Sequence, residues 1–241
     1  MKKAIILANG LFPKREEALQ AILQTPLLIC CDGAYNRLVA SRLFSHASVF
    51  PEIYVVGDGD SLSNDYKPHD PDRTVDTMRF KIEKPLPAVY IGRYAKDQDC
   101  NDLTKAVRHA LSLDVTHIVI LGATGLREDH TLGNISLLAE YVKMKNSEGN
   151  RLNIRMYTDY GYFTPIVATT RMQSFPGQQV SLFPLNNDIS LSVEGLKYPI
   201  NDCHFNMLWE ATLNESLGKE FVVNITGDGV VLVYQTHISK T

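Results

Sequence analysis

A chain of 241 residues can bury one large core or two ordinary ones, and 44% apolar against 21% charged residues excludes a disordered or fibrous protein. Its 24 Lys and Arg against 27 Asp and Glu leave a formal charge of −3, which excludes the basic surface that general nucleic-acid binding requires. No run reaches the roughly 18 uninterrupted apolar residues of a membrane helix, so neither nucleic acid nor a membrane is expected as a partner.

The opening "MKKAIILANG" superficially resembles a secretion signal, but its apolar stretch from Ala4 to Ala8 is too short for one, and a buried first strand is expected. "KREEALQAILQ" then spaces apolar residues at the helical period, and "LLICC" reads as a second strand. Cys30, Cys31, Cys100 and Cys203 form no CxxC pair, so free thiols and a cytoplasmic location are expected. A helix in "GAYNRLVASRLF", strands in "EIYVV" and "AVYIG", and a helix from about 101 to 112 follow. "THIVILG" is a further strand and "EDHTLGNISLLAEYVKMK" a further helix. The strands are apolar throughout rather than alternating, as in a parallel sheet covered on both faces.

The polar segment "NSEGN" at 146–150 marks a change of texture, after which short strand-like runs alternate with turns at "FPGQQ", "LNND", "YPIND" and "TGDG". The predicted fold class is α/β: an N-terminal, mostly parallel α/β sandwich domain over 1–150, then a C-terminal antiparallel β-sandwich domain over 151–241. Trp209, alone in the second domain, is read as a core residue.

Two stretches share the letters GDG. "EFVVNITGDGVVLVYQ" has strand residues on both sides, so Asp228 is read as the turn of a β-hairpin. "VVGDGDSL" leads instead into a long polar loop, leaving Asp58 and Asp60 at the end of a parallel strand, where open α/β sheets bind ligands. Other elements of the same half end alike: Asp32 follows "LLICC", Asp97, Asp99 and Asp102 lie in "KDQDCNDLTKAV", and Arg127 and Asp129 follow "THIVILG". Ionised carboxylates gathered at one edge repel unless a cation joins them, and hard oxygen donors favour Mg²⁺. Asp58, Asp60 and Asp102 suit such a metal site. Asp99 is assigned mainly to helix capping, a role that Asp102 also fits. Lys105 either reaches a phosphate or pairs with Asp102. "LGATGLREDHTLGN" supplies the anion side, with a helix start and Arg127 for phosphoryl charge. His130 is read as a helix-start histidine with a structural hydrogen bond. The residues thus point to a Mg²⁺-dependent enzyme acting on a phosphate-rich ligand, without naming an acceptor.

In order, "CDGAYNRL", "VVGDGDSL", "DQDCNDLTKAV" and "LGATGLREDHTLGNISLL" resemble the thiamine pyrophosphokinase family. The resemblance implies an α/β domain, a β-sandwich domain and a homodimer with sites between subunits. It implies transfer of the pyrophosphoryl group of ATP to the hydroxyl of thiamine, giving thiamine diphosphate and AMP. By position, Asp58, Asp60 and Asp102 are similar to the family's Mg²⁺ and phosphate-site carboxylates. Asp32, Asn36 and Arg37 resemble its nucleotide loop, Gln98 and Asn101 its polar contacts, and Arg127 with Asp129 its Arg-x-Asp pair. "GLKYPI" and "EATLNESLG" resemble the thiamine-pocket region, where Tyr198 replaces the usual tryptophan, Leu213 the usual serine, and Asn214 is kept. Two other readings are a non-catalytic thiamine diphosphate or nucleotide sensor and a nucleotide-sugar transferase using a DxD metal motif. A sensor need not keep the acidic set, and DxD alone leaves "DQDCND" and "GLREDHTLGN" unexplained, so the enzyme reading is preferred.

Overall fold

Five apolar runs of the first half become the strands of one parallel sheet, in a computed structural model that describes residues 2–45, 51–63, 89–93 (backbone only), 100–186 and 188–239. The strands are β1 (Lys3–Leu7), β2 (Leu27–Cys31), β3 (Glu52–Gly57), β4 (Val89–Arg93) and β5 (His117–Leu121). They pair in the order β5-β1-β2-β3-β4, every neighbour parallel. All five residues of β2 are buried, which is why its sequence runs apolar without alternation. Among the helices, α1 (Glu16–Gln24), α2 (Ala34–Ser41) and α3 (Asp102–Ser112) belong to this unit, which comprises Met1–Leu137 and Met144–Asn153. Helix α4 (Glu128–Tyr141) begins there, and its last residues group with the second unit, Leu138–Lys143 and Ile154–Thr241.

Helix α3 shows how sequence becomes placement. Asn101 is its N-cap, with Oδ1 accepting from the Thr104 N–H at 2.9 Å. Leu103, Ala106, Val107 and Ala110 are buried at helical spacing, and α3 packs on β2 and β3. Because the sheet is parallel, the residues just past β1, β2, β3 and β5 (Ala8, Asp32, Asp58 and Gly122) stand along one edge. The chain is tight at that edge: a Cβ on Gly10 would lie 2.4 Å from the Gly122 carbonyl, which instead accepts the Gly10 N–H at 2.7 Å.

The second unit is antiparallel, as its alternating strand patterns predict. Its strands are β6 (Asn153–Tyr157), β7 (Gly161–Ile166), β8 (Thr170–Gln173), β9 (Gln178–Pro184), β10 (Ser190–Glu194), β11 (Ile200–Cys203), β12 (Asn214–Glu215), β13 (Glu220–Thr226) and β14 (Val231–Ser239). One sheet runs β12-β9-β14-β7-β6 and the other β11-β10-β13-β8. Val180, Leu182, Val231 and Val233 from the first meet Leu191, Val193, Phe221 and Val223 from the second in a shared core.

Three expectations are corrected here. The second GDG is a turn but not a hairpin: β13 pairs with β10 and β8, while β14 pairs with β7 and β9, so the turn carries the chain from one sheet to the other. Asn186 Nδ2 donates to the Asp228 carbonyl at 3.0 Å and fixes that crossing. Trp209 is not core but 69% exposed, in the irregular segment between β11 and β12 where no strand turns it inward. Helix α4, expected to continue to Lys145, ends at Tyr141.

Candidate active site

The register of β2 on β3 sets Cys31 opposite Val56, so the next residues of both strands, Asp32 and Gly57, fall side by side at the sheet edge. Asp32 adopts φ +38°, a left-handed turn that carries its side chain toward the loop after β3. A Cβ on Gly57 would sit 2.7 Å from the Asp32 Cβ, so glycine is what allows the approach. One carboxylate oxygen from each of Asp32, Asp58 and Asp60 lies within 4.8 Å of the others.

Asp102, in the first turn of α3, lines the same cleft, with Oδ1 3.0 Å from Lys105 Nζ. Lys105 is only 6% exposed. Burial works against its charge, but the hydrogen bond and charge of Asp102, with Asp58 behind it, raise its pKa overall. Asp102 itself is raised: burial and the charges of Asp58 and Asp60 outweigh Lys105.

Asp32, 2% exposed, bears the largest electrostatic cost. Burial pushes its pKa up to about 6, the charges of Asp102 and Asp58 and its contact with Asp60 adding to the rise and the Ser61 N–H opposing it. Asp60 is exposed and shifts the other way, chiefly because the Ser61 hydroxyl donates to it at 2.8 Å.

The 58–63 loop is pinned from α2. Ser61 N donates to Asp32 Oδ2 at 3.0 Å, and Asn36 takes both Ser61 O (2.8 Å, from Nδ2) and Ser63 N (3.1 Å, on Oδ1). Arg37 Nε donates to Asn9 Oδ1 at 3.0 Å. Within the first unit, the segments after β1, β3 and β5 and the start of α3 border a cleft of about 420 Å³, while Asp32, Asn36 and Arg37 are not among its lining residues. Asp58, Asp60, Asn101, Asp102 and Arg127 all line it, as do Asn9, Thr124, Thr131 and Asn134, which the sequence did not single out. Asn9 was legible only as a residue at a strand end, and Asn134 only as a polar position in the second turn of α4.

On the far wall, Arg127 grips Asp129 through Nε at 3.1 Å and a terminal nitrogen at 2.5 Å. The pairing lowers the Asp129 pKa and raises that of Arg127. Asp129 also accepts the His130 N–H at 2.9 Å, so it serves the helix start as well as the arginine. His130 itself is exposed at the cleft.

Cys31 also borders the cleft, its Sγ 3.7 Å from the Asp102 carbonyl; burial pushes the thiol pKa up. Cys30, Cys31, Cys100 and Cys203 are all free. Gln98, with Asp97 and Asp99, lies outside the described residues. Asn214 is buried in the second unit, where it holds the Tyr198 backbone from both sides: Oδ1 accepts Tyr198 N at 3.0 Å and Nδ2 donates to Tyr198 O at 2.8 Å. Its neighbour Leu213 takes φ +59° and is exposed.

Residues 18–148 match the family model described as the thiamin pyrophosphokinase catalytic domain, and residues 161–234 match the thiamin pyrophosphokinase substrate-binding domain. Thiamine pyrophosphokinase from Bacillus subtilis is 33% identical over 148 residues, 56% of this chain and 61% of that protein. Thiamine pyrophosphokinase 1 from Oryza sativa is 27% identical over 151 residues, 59% of this chain and 53% of that one. The matched stretch therefore spans less than two thirds of both curated relatives. The fold is that of two solved structures: thiamine pyrophosphokinase from Bacillus subtilis (TM-score 0.70, 24% identity, 98% of this chain and 99% of that one) and thiamin pyrophosphokinase from Candida albicans (TM-score 0.72, 19% identity, 97% and 88%). With the catalytic-domain match covering more than half of its length, the chain belongs to the thiamin pyrophosphokinase family.

Proposed function

We propose that the protein transfers the pyrophosphoryl group of ATP to the hydroxyl of thiamine, releasing AMP, with Mg²⁺ at the carboxylate cluster. The observation that carries this reading is the cleft itself, lined by Asp58, Asp60 and Asp102, with Asp32 clustered beside the first two, and by Arg127 beside a helix start. The donor set fits a hard divalent cation. It consists of carboxylate oxygens alone, and one of them, Asp32, is buried at an electrostatic cost that a bound cation would offset. Asp58 and Asp60, with Asp32 or Asp102, would hold the ion, which when bound supplies charge neutralisation to phosphate oxygens.

The chain's own groups do the rest. Arg127, oriented by Asp129, faces charge developing on the transferred group. The first turn of α4 adds N–H groups and the positive end of its dipole. The hydroxyl attacks the β-phosphorus in line while the bond to AMP breaks, so positioning and electrostatics carry most of the acceleration. Product analysis with purified protein, ATP, Mg²⁺ and thiamine tests this: thiamine-dependent AMP, matched by thiamine diphosphate, is expected. ADP as the nucleotide product overturns pyrophosphoryl transfer, and no thiamine-dependent turnover points to another acceptor or to a sensor.

A homodimer belongs to the same reading. Tyr198, Met207, Leu208, Trp209, Leu213 and Leu217, all within residues 198–217 of the second unit, are exposed and offer apolar side chains to a second copy. Sedimentation at micromolar concentration is expected to give a dimer for the wild type and a monomer for Trp209→Asp. A cytoplasmic location is supported by the four free cysteines. Among the described residues, no helix is long and apolar enough to cross a membrane.

A further inference from the structure

We propose that Asn36 is a positioning residue, holding the Asp58–Asp60 turn in the geometry that binds a divalent cation. Its amide takes Ser61 O and Ser63 N, the carbonyl and N–H on either side of Leu62, much as an adjacent strand would. Leu62 is buried between these anchors, so the segment is fixed by its side chain as well as its backbone. Asn36 stands in the first turn of α2, whose neighbours Tyr35 and Leu38 are buried, giving the brace a rigid base.

Ser61 is where the brace meets the carboxylates. Its N–H donates to Asp32 Oδ2 and its hydroxyl to Asp60 Oδ1, so two of the three clustered acids take their orientation from a residue whose carbonyl Asn36 holds. Asp60 N in turn donates to Asp58 Oδ1 at 3.1 Å, which brings the third acid into the same turn. Outer groups that orient metal-binding carboxylates typically govern affinity by about 10–100-fold. The resemblance places Asn36 among nucleotide contacts; its donor and acceptor are instead directed at the loop, so its effect reaches the ligand through the acids.

This inference rests on the cation reading of the site, and the test separates the two. Mn²⁺ binding, followed by electron paramagnetic resonance without nucleotide, is measured for wild type, Asn36→Ala, Asn36→Gln and Ser41→Ala. Ser41 lies at the other end of the same helix, donating to Leu38 O and accepting the Leu43 N–H at 3.2 Å, with no bond to the 58–63 loop among the described residues, so it reports helix stability alone. The expected result is Mn²⁺ affinity about tenfold or more weaker in both Asn36 variants and unchanged in Ser41→Ala, with the KM for thiamine unaltered and the Mg²⁺ requirement raised. Asn36→Gln keeps the amide but displaces it, and it decides the matter should Asn36→Ala not fold. Wild-type Mn²⁺ affinity in an Asn36 variant overturns the positioning role and leaves the cation site standing. Equal weakening in Ser41→Ala overturns it as well. A wild-type chain that binds no Mn²⁺ removes the cation site itself, and the positioning role with it.

Discussion

Asp32→Asn is expected to make the cation-free protein more stable while weakening its response to Mg²⁺. The folded-state pKa of Asp32 is raised from 3.8 to about 6. Between those values the folded protein binds more protons than the unfolded chain, so stability falls as pH rises through that window and stays low above it. That rise in pKa corresponds to roughly 3 kcal/mol at neutral pH. Asparagine removes the charge, keeps an oxygen for the Ser61 N–H, and tolerates the left-handed φ. In chelator at pH 7 the variant should melt on the order of 5–10 °C above wild type, and the gap should close toward pH 4. Added Mg²⁺ should raise the wild-type midpoint more than that of the variant. A variant that melts lower than wild type in chelator would mean that Asp32 is not under electrostatic strain.

Asp60→Asn carries the largest expected effect on turnover. Its carboxylate is exposed, so the fold does not depend on its charge, and far-UV circular dichroism and thermal midpoint should match wild type. Turnover should fall by at least about a hundredfold, the scale seen when one preorganised charge-stabilising group is removed from an active site. Mn²⁺ binding should weaken in parallel. Wild-type turnover in this variant removes Asp60 from the site.

The four strand-end segments could be recognised in the linear sequence because each is local: an apolar run, then glycine or a carboxylate, then a helix start. That was enough for the fold class and for Asp58, Asp60, Asp102 and Arg127 as candidates. Lateral register was not legible. Nothing in "LLICCDG" or "VVGDGD" states that Cys31 will face Val56, yet that pairing is what brings Asp32 beside Asp58 and Asp60. The sequence therefore offered Asp58, Asp60 and Asp102 as a metal set and Asp32 only as part of a nucleotide loop, whereas the fold sets an Asp32 oxygen within 4.8 Å of Asp58 and Asp60 as well. Capping was only partly legible: the rule favours Asp99 as readily as Asn101, and Asn101 Oδ1 meets the Thr104 N–H while Asp99 lies outside the described residues. The second GDG shows the limit of local pattern most plainly, since apolar runs flanking a glycine turn look alike whether they join one sheet or two.

The strand order has a consequence for ligand length. The carboxylates follow β2 and β3 while Arg127 follows β5, and β1 lies between. At about 4.8 Å per strand, the ends of β3 and β5 are roughly 14 Å apart. The sheet edge thus acts as a ruler. On the proposed function, an isolated phosphate at the carboxylates would leave the arginine wall in water, whereas a ligand stretched crosswise over the strand ends would engage both, so the spacing of the strands would discriminate against short anions.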